Sequence, residues 1–461
     1  MITRRNLLSS LIATAGATAF APSMTLAALQ AGQASTQKKI PWKNWSGSQI
    51  CYPDARKAPA NIDELRELIV SAPGHIRPVG SGHSFTALVP TDDTIVSISR
   101  LSGMVSHDSV NHTSLIQAGT RLGDIGGPLA QAGQALINMP DIDEQTLAGA
   151  LGTATHGTGA GIGCLPSFVE GLQLVTANGE VIECDRNHNP EIFNAARVNL
   201  GALGVITQVR MQNQPSYRLK RQLSCKPIEE ILENADTLAN ENRNFEFYYI
   251  PFSGMGFQDT QNITTEAESS TDKTDQNDGV ETLKTLRNAL SWSSTIRELS
   301  IGTYMKTIED EVTIANSWQN YATERNVRFN EMEYHLPREN GLQAFREVRE
   351  VVERDFPEVF FPFEVRFVKS DDIWLSPFFE RETMSIAVHR YFDEDYKPMF
   401  KAVEKIFKKH GGRPHWGKIN TMTGQELAGH YKHWDDFKEV RQTLDPQGKF
   451  LNPYLKSIFA V

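Results

Sequence analysis

Two glycine-rich segments are the first places where residue type and spacing could do chemistry. One is Pro78-Val79-Gly80-Ser81-Gly82-His83-Ser84-Phe85; the other runs from Gly149-Ala150-Leu151-Gly152-Thr153 through Ala154-Thr155-His156-Gly157 to Thr158-Gly159. Glycine lets a backbone come close to a ligand and take positive φ. Successive amides in such turns make a nest that suits a phosphate. Neither segment is a Walker A loop, and neither has the G-x-G-x-x-G spacing between a strand and a helix. Either one alone is also what a tight turn looks like. Two of them about 70 residues apart in one α+β region carry more weight.

A second constellation is Glu364-Val365-Arg366. On a strand, alternation puts Glu364 and Arg366 on one face and Val365 on the other. Such a pair is ordinarily a surface ion pair. Here it is flanked by Phe361, Phe363, Phe367 and Val368, which points to a lined cavity. Lys418 in His415-Trp416-Gly417-Lys418 is either a solvated lysine or a site residue. His389 in Ser385-Ile386-Ala387-Val388-His389 is either a core histidine or a substrate contact.

The elements that must position these residues alternate between short strands and helices. Asn61-Ile62-Asp63-Glu64 resembles a capping box, and Ile62, Leu65, Leu68 and Ile69 form one apolar helical face ended by Pro73-Gly74. Leu172–Val175 and Val181–Cys184 flank Ala177-Asn178-Gly179, a hairpin signal. Asn189-Pro190 opens a helix that Gly201 and Gly204 are expected to close, and Val205–Met211 alternates as a strand. This interleaving without a repeated βαβ unit reads as α+β. After about residue 215 aromatic strand-like runs such as Phe245–Ile250 predict a second domain with an antiparallel sheet. Residues 258–281 are rich in Thr, Asp, Glu, Gln, Asn and Ser and read as a solvated loop. Met399–His410 and Trp434–Leu444 read as helices.

Length and composition narrow the function classes. A chain of 461 residues exceeds one ordinary core. With 40% hydrophobic and 22% charged residues it is neither disordered nor a multi-span membrane protein. Its net charge of −10 and lack of a Lys/Arg cluster argue against nucleic acid. Cys51, Cys164, Cys184 and Cys225 stand singly with no C-x-x-C pair, so no metal centre is expected, and disulfides are left open. Residues 1–31 read as a signal peptide. Arg4-Arg5 precede a weakly apolar run, and Thr25-Leu26-Ala27 offers a cleavage site, which suggests twin-arginine export to a bacterial periplasm. That apolar run is too short for a stable membrane span. Removal of the two arginines takes the charge from −10 to −12.

In order along the chain, Asn44-Trp45-Ser46-Gly47, the first loop, Ala118-Gly119-Thr120, the second loop and Asn199–Gly204 resemble the vanillyl-alcohol-oxidase flavoprotein superfamily. Gly412-Arg413-Pro414-His415-Trp416-Gly417-Lys418 and Asp445-Pro446-Gln447-Gly448 resemble its aldonolactone and alditol oxidase branch. The likeness covers nearly all of residues 41–461. It implies a two-domain α+β fold: an FAD-binding domain of two α+β subdomains over 41–215, a substrate or cap domain with an antiparallel sheet over 216–432, and a C-terminal segment, 433–461, returning to the FAD domain.

The resemblance also implies roles. His83 would be bonded covalently to the flavin 8α-methyl group. Val79, Gly80, Ser81, Gly82, Ser84, Gly119, Gly149, Gly152, Thr153, Thr155, His156, Gly157 and Ile206 would lie along FAD. Glu364 and Arg366 would stand over the isoalloxazine, with Lys418 beside it and His389 at the substrate. There a carboxylate can take the hydroxyl proton of a carbinol as hydride leaves for flavin N5, and a guanidinium can hold developing negative charge. The implied substrate is a sugar lactone of the L-gulono- or D-arabinono-1,4-lactone type. A polyol such as xylitol or sorbitol is the alternative, which His389-Arg390-Tyr391 disfavours because alditol oxidases are expected to carry histidine-x-threonine there. Pro140 aligns with an oxygen gate and leans toward O2 as acceptor over a respiratory carrier.

Overall fold

The computed structural model describes residues 39–269, 276–290, 292–323 and 327–460. The expected signal peptide lies outside them. From Lys39 onward the chain forms one compact unit, and the change near residue 215 falls between its two large sheets, in keeping with a two-domain α+β fold. No described helix is long and apolar enough to cross a membrane.

The first glycine-rich loop grows out of a small parallel sheet, in which Ala55–Lys57 and Ile76–Val79 flank Thr94–Ser97. Ile76–Val79 runs straight into Gly80, so the strand end aims the loop. The helix Ile62–Ser71 packs beside this sheet, and Asn61 caps it by accepting from the Glu64 amide. A 6-stranded antiparallel sheet follows, ordered Val181–Asp185, Val169–Val175, Val205–Pro215, Thr113–Gln117, Met104–Asp108, with Gln134–Leu136 also on the long third strand. The Asn178-Gly179 turn closes the expected hairpin, with Val181 opposite Val175. The helix begun by Pro190 stops at Ala196, before the glycines expected to end it.

The second sheet has 8 strands and spans Arg218 to Pro414. Four consecutive strands of it, Asn244–Ile250, Phe363–Val368, Thr383–Tyr391 and Phe329–Pro337, have two unlike faces. Phe245, Phe247 and Tyr249 alternate with Glu246 and Tyr248; Phe363, Val365 and Phe367 alternate with Glu364 and Arg366. The aromatic face packs on the helix Arg338–Asp355, where Phe345 meets the rings of Phe247 and Tyr249. Tyr334 stacks on Phe407 of the helix Lys397–Lys409. The charged face points the other way, toward the glycine-rich loops.

The solvated loop expected over 258–281 is corrected by the strand Met255–Thr264, which pairs with both Arg218–Pro227 and Asn244–Ile250. Its polar residues lie on a paired strand and not in a solvated loop: Asp259 is fully buried and bonds Arg221. A helix occupies Gln276–Ala289; residues 270–275 lie outside the described residues. The helix Trp434–Leu444 stands where the sequence puts it. Beyond it the chain returns to the first glycine-rich region: the Ile76 amide donates to Lys449 O, and Asn452 donates to Ala87 O and Pro90 O.

Candidate active site

The first loop and the second face each other across a cleft of about 870 Å³. Val79, Gly80, Ser81, Gly82, His83, Ser84, Gly149, Gly152, Thr153 and Ile206 all line it, together with Asn199–Gly201, which the sequence did not single out as a site. Gly82 has φ +73°, and a Cβ on Gly80 would overlap Thr146 Oγ1, the atom that caps the helix Leu147–Gly152. Among the described residues none of the lining side chains is acidic, in a chain of net charge −10. A glycine backbone cradle without carboxylates fits a group that carries a diphosphate. Gly119 and Gly157 sit elsewhere. A Cβ on Gly119 would overlap Ile98 O and one on Gly157 would overlap Met139 O, so these glycines serve close chain crossings.

Beyond His83 the cleft opens into a second cavity of about 560 Å³, lined by Trp45, Pro140, Asp141, Glu333, Arg366 and Lys418 among others. Trp45 stacks on His83 with ring centroids 5.4 Å apart, and Phe329 meets the other side of Trp45. Thr155 and His156 line this second cavity, not the first. His156 Nε2 lies 2.8 Å from Glu333 Oε1 and Nδ1 lies 2.8 Å from Gly157 O. The loop bearing His156 reaches that far because the Gly159 amide donates to Phe367 O and Asn244 donates to Thr158 O.

Arg366 is the centre of the charged face. Its guanidinium lies 2.6 Å from Glu246, 2.8 Å from Glu364 and 3.1 Å from Asp141. Register explains the first two: Arg366 is opposite Glu246 on the neighbouring strand, and Glu364 is opposite Tyr248, whose hydroxyl donates to Glu246. Burial alone would lower the Arg366 pKa, but Asp141, Glu246 and Glu364 outweigh it and hold the group firmly charged.

Lys418 enters from the loop after Pro414. That loop is tied to the strand Phe329–Pro337 by His415 N donating to Glu333 O and Ile419 N to Glu331 O. It is tied to the first glycine-rich region by Phe85 N donating to Gly417 O. The ammonium bonds Glu331 and lies 5.3 Å above the Phe85 ring. Burial pulls its pKa down; Glu331 and then Glu333 reverse this and raise it. His389 stands behind Glu331. Its Nε2 is 3.6 Å from Glu331, its Nδ1 donates to Pro362 O at 2.9 Å, and its ring packs on Phe329 and Phe361. Glu331 thus links it to Lys418. His83 is held neutral at ordinary pH: burial, then the charges of Lys418 and Arg121, lower its pKa to about 4.

Four participants were not singled out from sequence: Asp141, Glu246, Glu331 and Glu333. Glu246 is a lone acid in an aromatic strand, the same signal that exposed Glu364. Glu331, Glu333 and His335 share one strand face by alternation.

Residues 53–185 match the family model described as FAD binding domain. That match covers both glycine-rich loops, whose carboxylate-free cleft is suited to the same cofactor, and the protein is a flavin-dependent oxidoreductase acting on CH–OH groups. Cholesterol oxidases share the fold: one superposes with TM-score 0.76 at 18% identity, over 91% of this chain and 97% of that one. Residues 209–458 match D-arabinono-1,4-lactone oxidase. The chain is 36% identical over 429 residues to the L-gulono-1,4-lactone dehydrogenase of Mycobacterium tuberculosis, covering 90% of this chain and 98% of that protein. It is 30% identical over 439 residues to the L-gulonolactone oxidase of Bos taurus (92% and 99%) and 24% identical over 434 residues to an alditol oxidase of a Streptomyces (90% and 98%). The chain belongs to the D-arabinono-1,4-lactone oxidase family.

Proposed function

We propose that this protein oxidises a carbinol of a neutral sugar-derived 1,4-lactone, of the L-gulono or D-arabinono type, after export through its twin-arginine segment. The observation that supports this best is the buried Arg366, bonded to Glu364, on the wall of a cavity that Lys418 and His83 also border. FAD would lie along the glycine cradle and supply a two-electron acceptor for the hydride. Glu364 takes the hydroxyl proton or holds it at its carboxylate. Arg366, fixed by three carboxylates, cannot swing, so its guanidinium stays oriented toward the cavity. Lys418 places a second cation donor at the same wall. Trp45, Phe85 and Phe329 exclude water from that side.

His83 is the residue for the covalent bond to the flavin. A neutral imidazole is the nucleophilic form, and its lowered pKa keeps it so. Pro140 on the cavity wall favours O2 as acceptor; the resemblance to a relative named a dehydrogenase supports a respiratory carrier as the second reading. A panel of aldonolactones and alditols, mixed anaerobically with the protein while flavin absorbance is followed, tests the substrate class. Bleaching by alditols alone removes the lactone reading. Hydrogen peroxide yield then separates the two acceptors. Flavin released wholly to the supernatant on acid precipitation refutes the covalent bond.

A further inference from the structure

We infer that Glu331 is a specificity-determining residue, which cancels the charge of Lys418 and so makes the cavity refuse anionic sugars. The inference rests on the proposed lactone or polyol oxidation and adds to it a residue and a rule of selection.

The charge balance of the cavity is unusual for a site that handles oxygen-rich substrates. Two cations line it, Arg366 and Lys418. Arg366 is shared by Asp141, Glu246 and Glu364, and Lys418 is bonded to Glu331. Glu333, also on the wall, is bonded to His156. Setting that last pair aside, four carboxylates among the described residues hold the two cations. Among the described residues a substrate carboxylate entering here meets no uncompensated cation, and it must approach Asp141 and Glu333 on the wall of a buried, poorly screened space. A lactone, whose carboxyl is closed into a neutral ring, meets no such barrier, nor does a polyol. Its hydroxyls can donate to the same carboxylates that repel an anion.

Glu331 is the residue on which this turns. It is 3% exposed and lies behind Lys418 on the strand Phe329–Pro337, to which the Lys418 loop is bonded. It meets the ammonium directly, whereas Arg366 keeps its other partners if any one carboxylate is altered. Glutamine at this position keeps the shape and an acceptor oxygen for Lys418 but removes the charge. Lys418 then becomes an uncompensated cation at the cavity wall, the group a carboxylate would choose.

The experiment compares three probes as ligands of the flavin-loaded enzyme: an aldono-1,4-lactone as substrate, the open-chain aldonate, and the corresponding aldonamide, which copies the aldonate without its charge. In the native protein the aldonamide should inhibit lactone oxidation at least about tenfold more tightly than the aldonate, as like-charge opposition demands. Glu331→Gln should tighten aldonate inhibition at least about tenfold while leaving aldonamide inhibition within about twofold, and Glu331→Asp should restore the native preference. Equal inhibition by aldonate and aldonamide in the native protein overturns the inference without need of any variant. So does a flavin-loaded Glu331→Gln enzyme with unchanged aldonate inhibition. Failure of every lactone and alditol to reduce the native flavin overturns the proposed function and this inference together, and is read before any inhibitor is added.

Discussion

Arg366→Met removes a cation that three carboxylates share. Asp141, Glu246 and Glu364 then remain gathered around an apolar side chain, the latter two under 10% exposed. Deleting one partner of a buried ion pair costs about 3–5 kcal/mol, because the charge left behind is unpaired. The carboxylates have one escape, which is to bind protons. Their pKa values in the folded variant therefore rise above those of the unfolded chain, and the folded variant binds more protons than the unfolded one. Stability in that case is fully present at low pH and is lost as pH rises, at up to about 1.4 kcal/mol per pH unit for each proton so bound. In the native protein Arg366 stays charged throughout and contributes no such slope. The variant should thus melt close to the native protein near pH 5 and roughly 5–10 °C below it near pH 8, given the small Tm change per kcal/mol in a chain of this size. Thermal unfolding of both flavin-loaded proteins at three pH values measures the gap. Adding Glu246→Gln to the variant should narrow it. A gap that does not widen with pH, or that stays under about 1 °C at pH 8, refutes the claim that Arg366 neutralises a buried acidic cluster.

Other consequences are more local. The proposed flavin attachment to His83 would need the neutral imidazole, so the covalent yield on adding FAD to flavin-free protein should be flat from about pH 8 to about pH 6. It should fall only toward the pKa of about 4, and a midpoint near an ordinary histidine value argues against the buried, cation-flanked setting. Gly80→Ala pushes a methyl into Thr146 Oγ1, so it should lower FAD retention and cost about 1–3 kcal/mol; a variant that keeps full flavin and Tm contradicts the cradle. The four cysteines are unpaired, and burial raises the pKa of Cys184 to about 12 and of Cys225 to about 11. A thiol reagent should label little beyond Cys225 in the native protein and all four thiols in non-reducing denaturant; fewer than four there would mean a disulfide.

The parts of the site that read directly from the sequence are those set by local rules. Alternation puts Glu364 and Arg366 on one face, glycine spacing marks both loops, and a turn signal locates the hairpin at Asn178-Gly179. What stayed hidden depends on register between distant strands. Glu246 reaches Arg366 across 120 residues of chain, and Asp141 comes from the loop between the strand Gln134–Leu136 and the helix Leu147–Gly152. The polar run after residue 258 misled for a related reason: composition cannot distinguish a solvated loop from a strand whose polar side chains are satisfied inside, as Asp259 is by Arg221. Lys418 and His389 look alike as isolated polar residues, yet the first lines the cavity and the second lies behind it, because Glu331 stands between them.

The charged face is also the reason the sheet must be so apolar on its other side. Asp141, Glu246, Glu331, Glu333 and Glu364 are poorly placed for folding, since each buried carboxylate costs several kcal/mol before its partners compensate it. Pairing returns part of that cost and leaves a site that is preorganised at the expense of stability. The opposite face supplies what is missing. Phe245, Phe247, Phe363 and Phe367 are essentially fully buried against the helix Arg338–Asp355 and its neighbours. Each such ring contributes about 1.5–3 kcal/mol on burial, and the residues that provide it alternate one for one with those that make the site. A strand such as Phe363–Val368 therefore cannot exchange its two roles or slip by one residue. A single-step shift would turn Glu364 and Arg366 into the aromatic core and expose Phe363 and Val365 to the cavity. The same two-residue period that first marked the Glu-x-Arg pair in the sequence is what fixes its geometry in the folded protein.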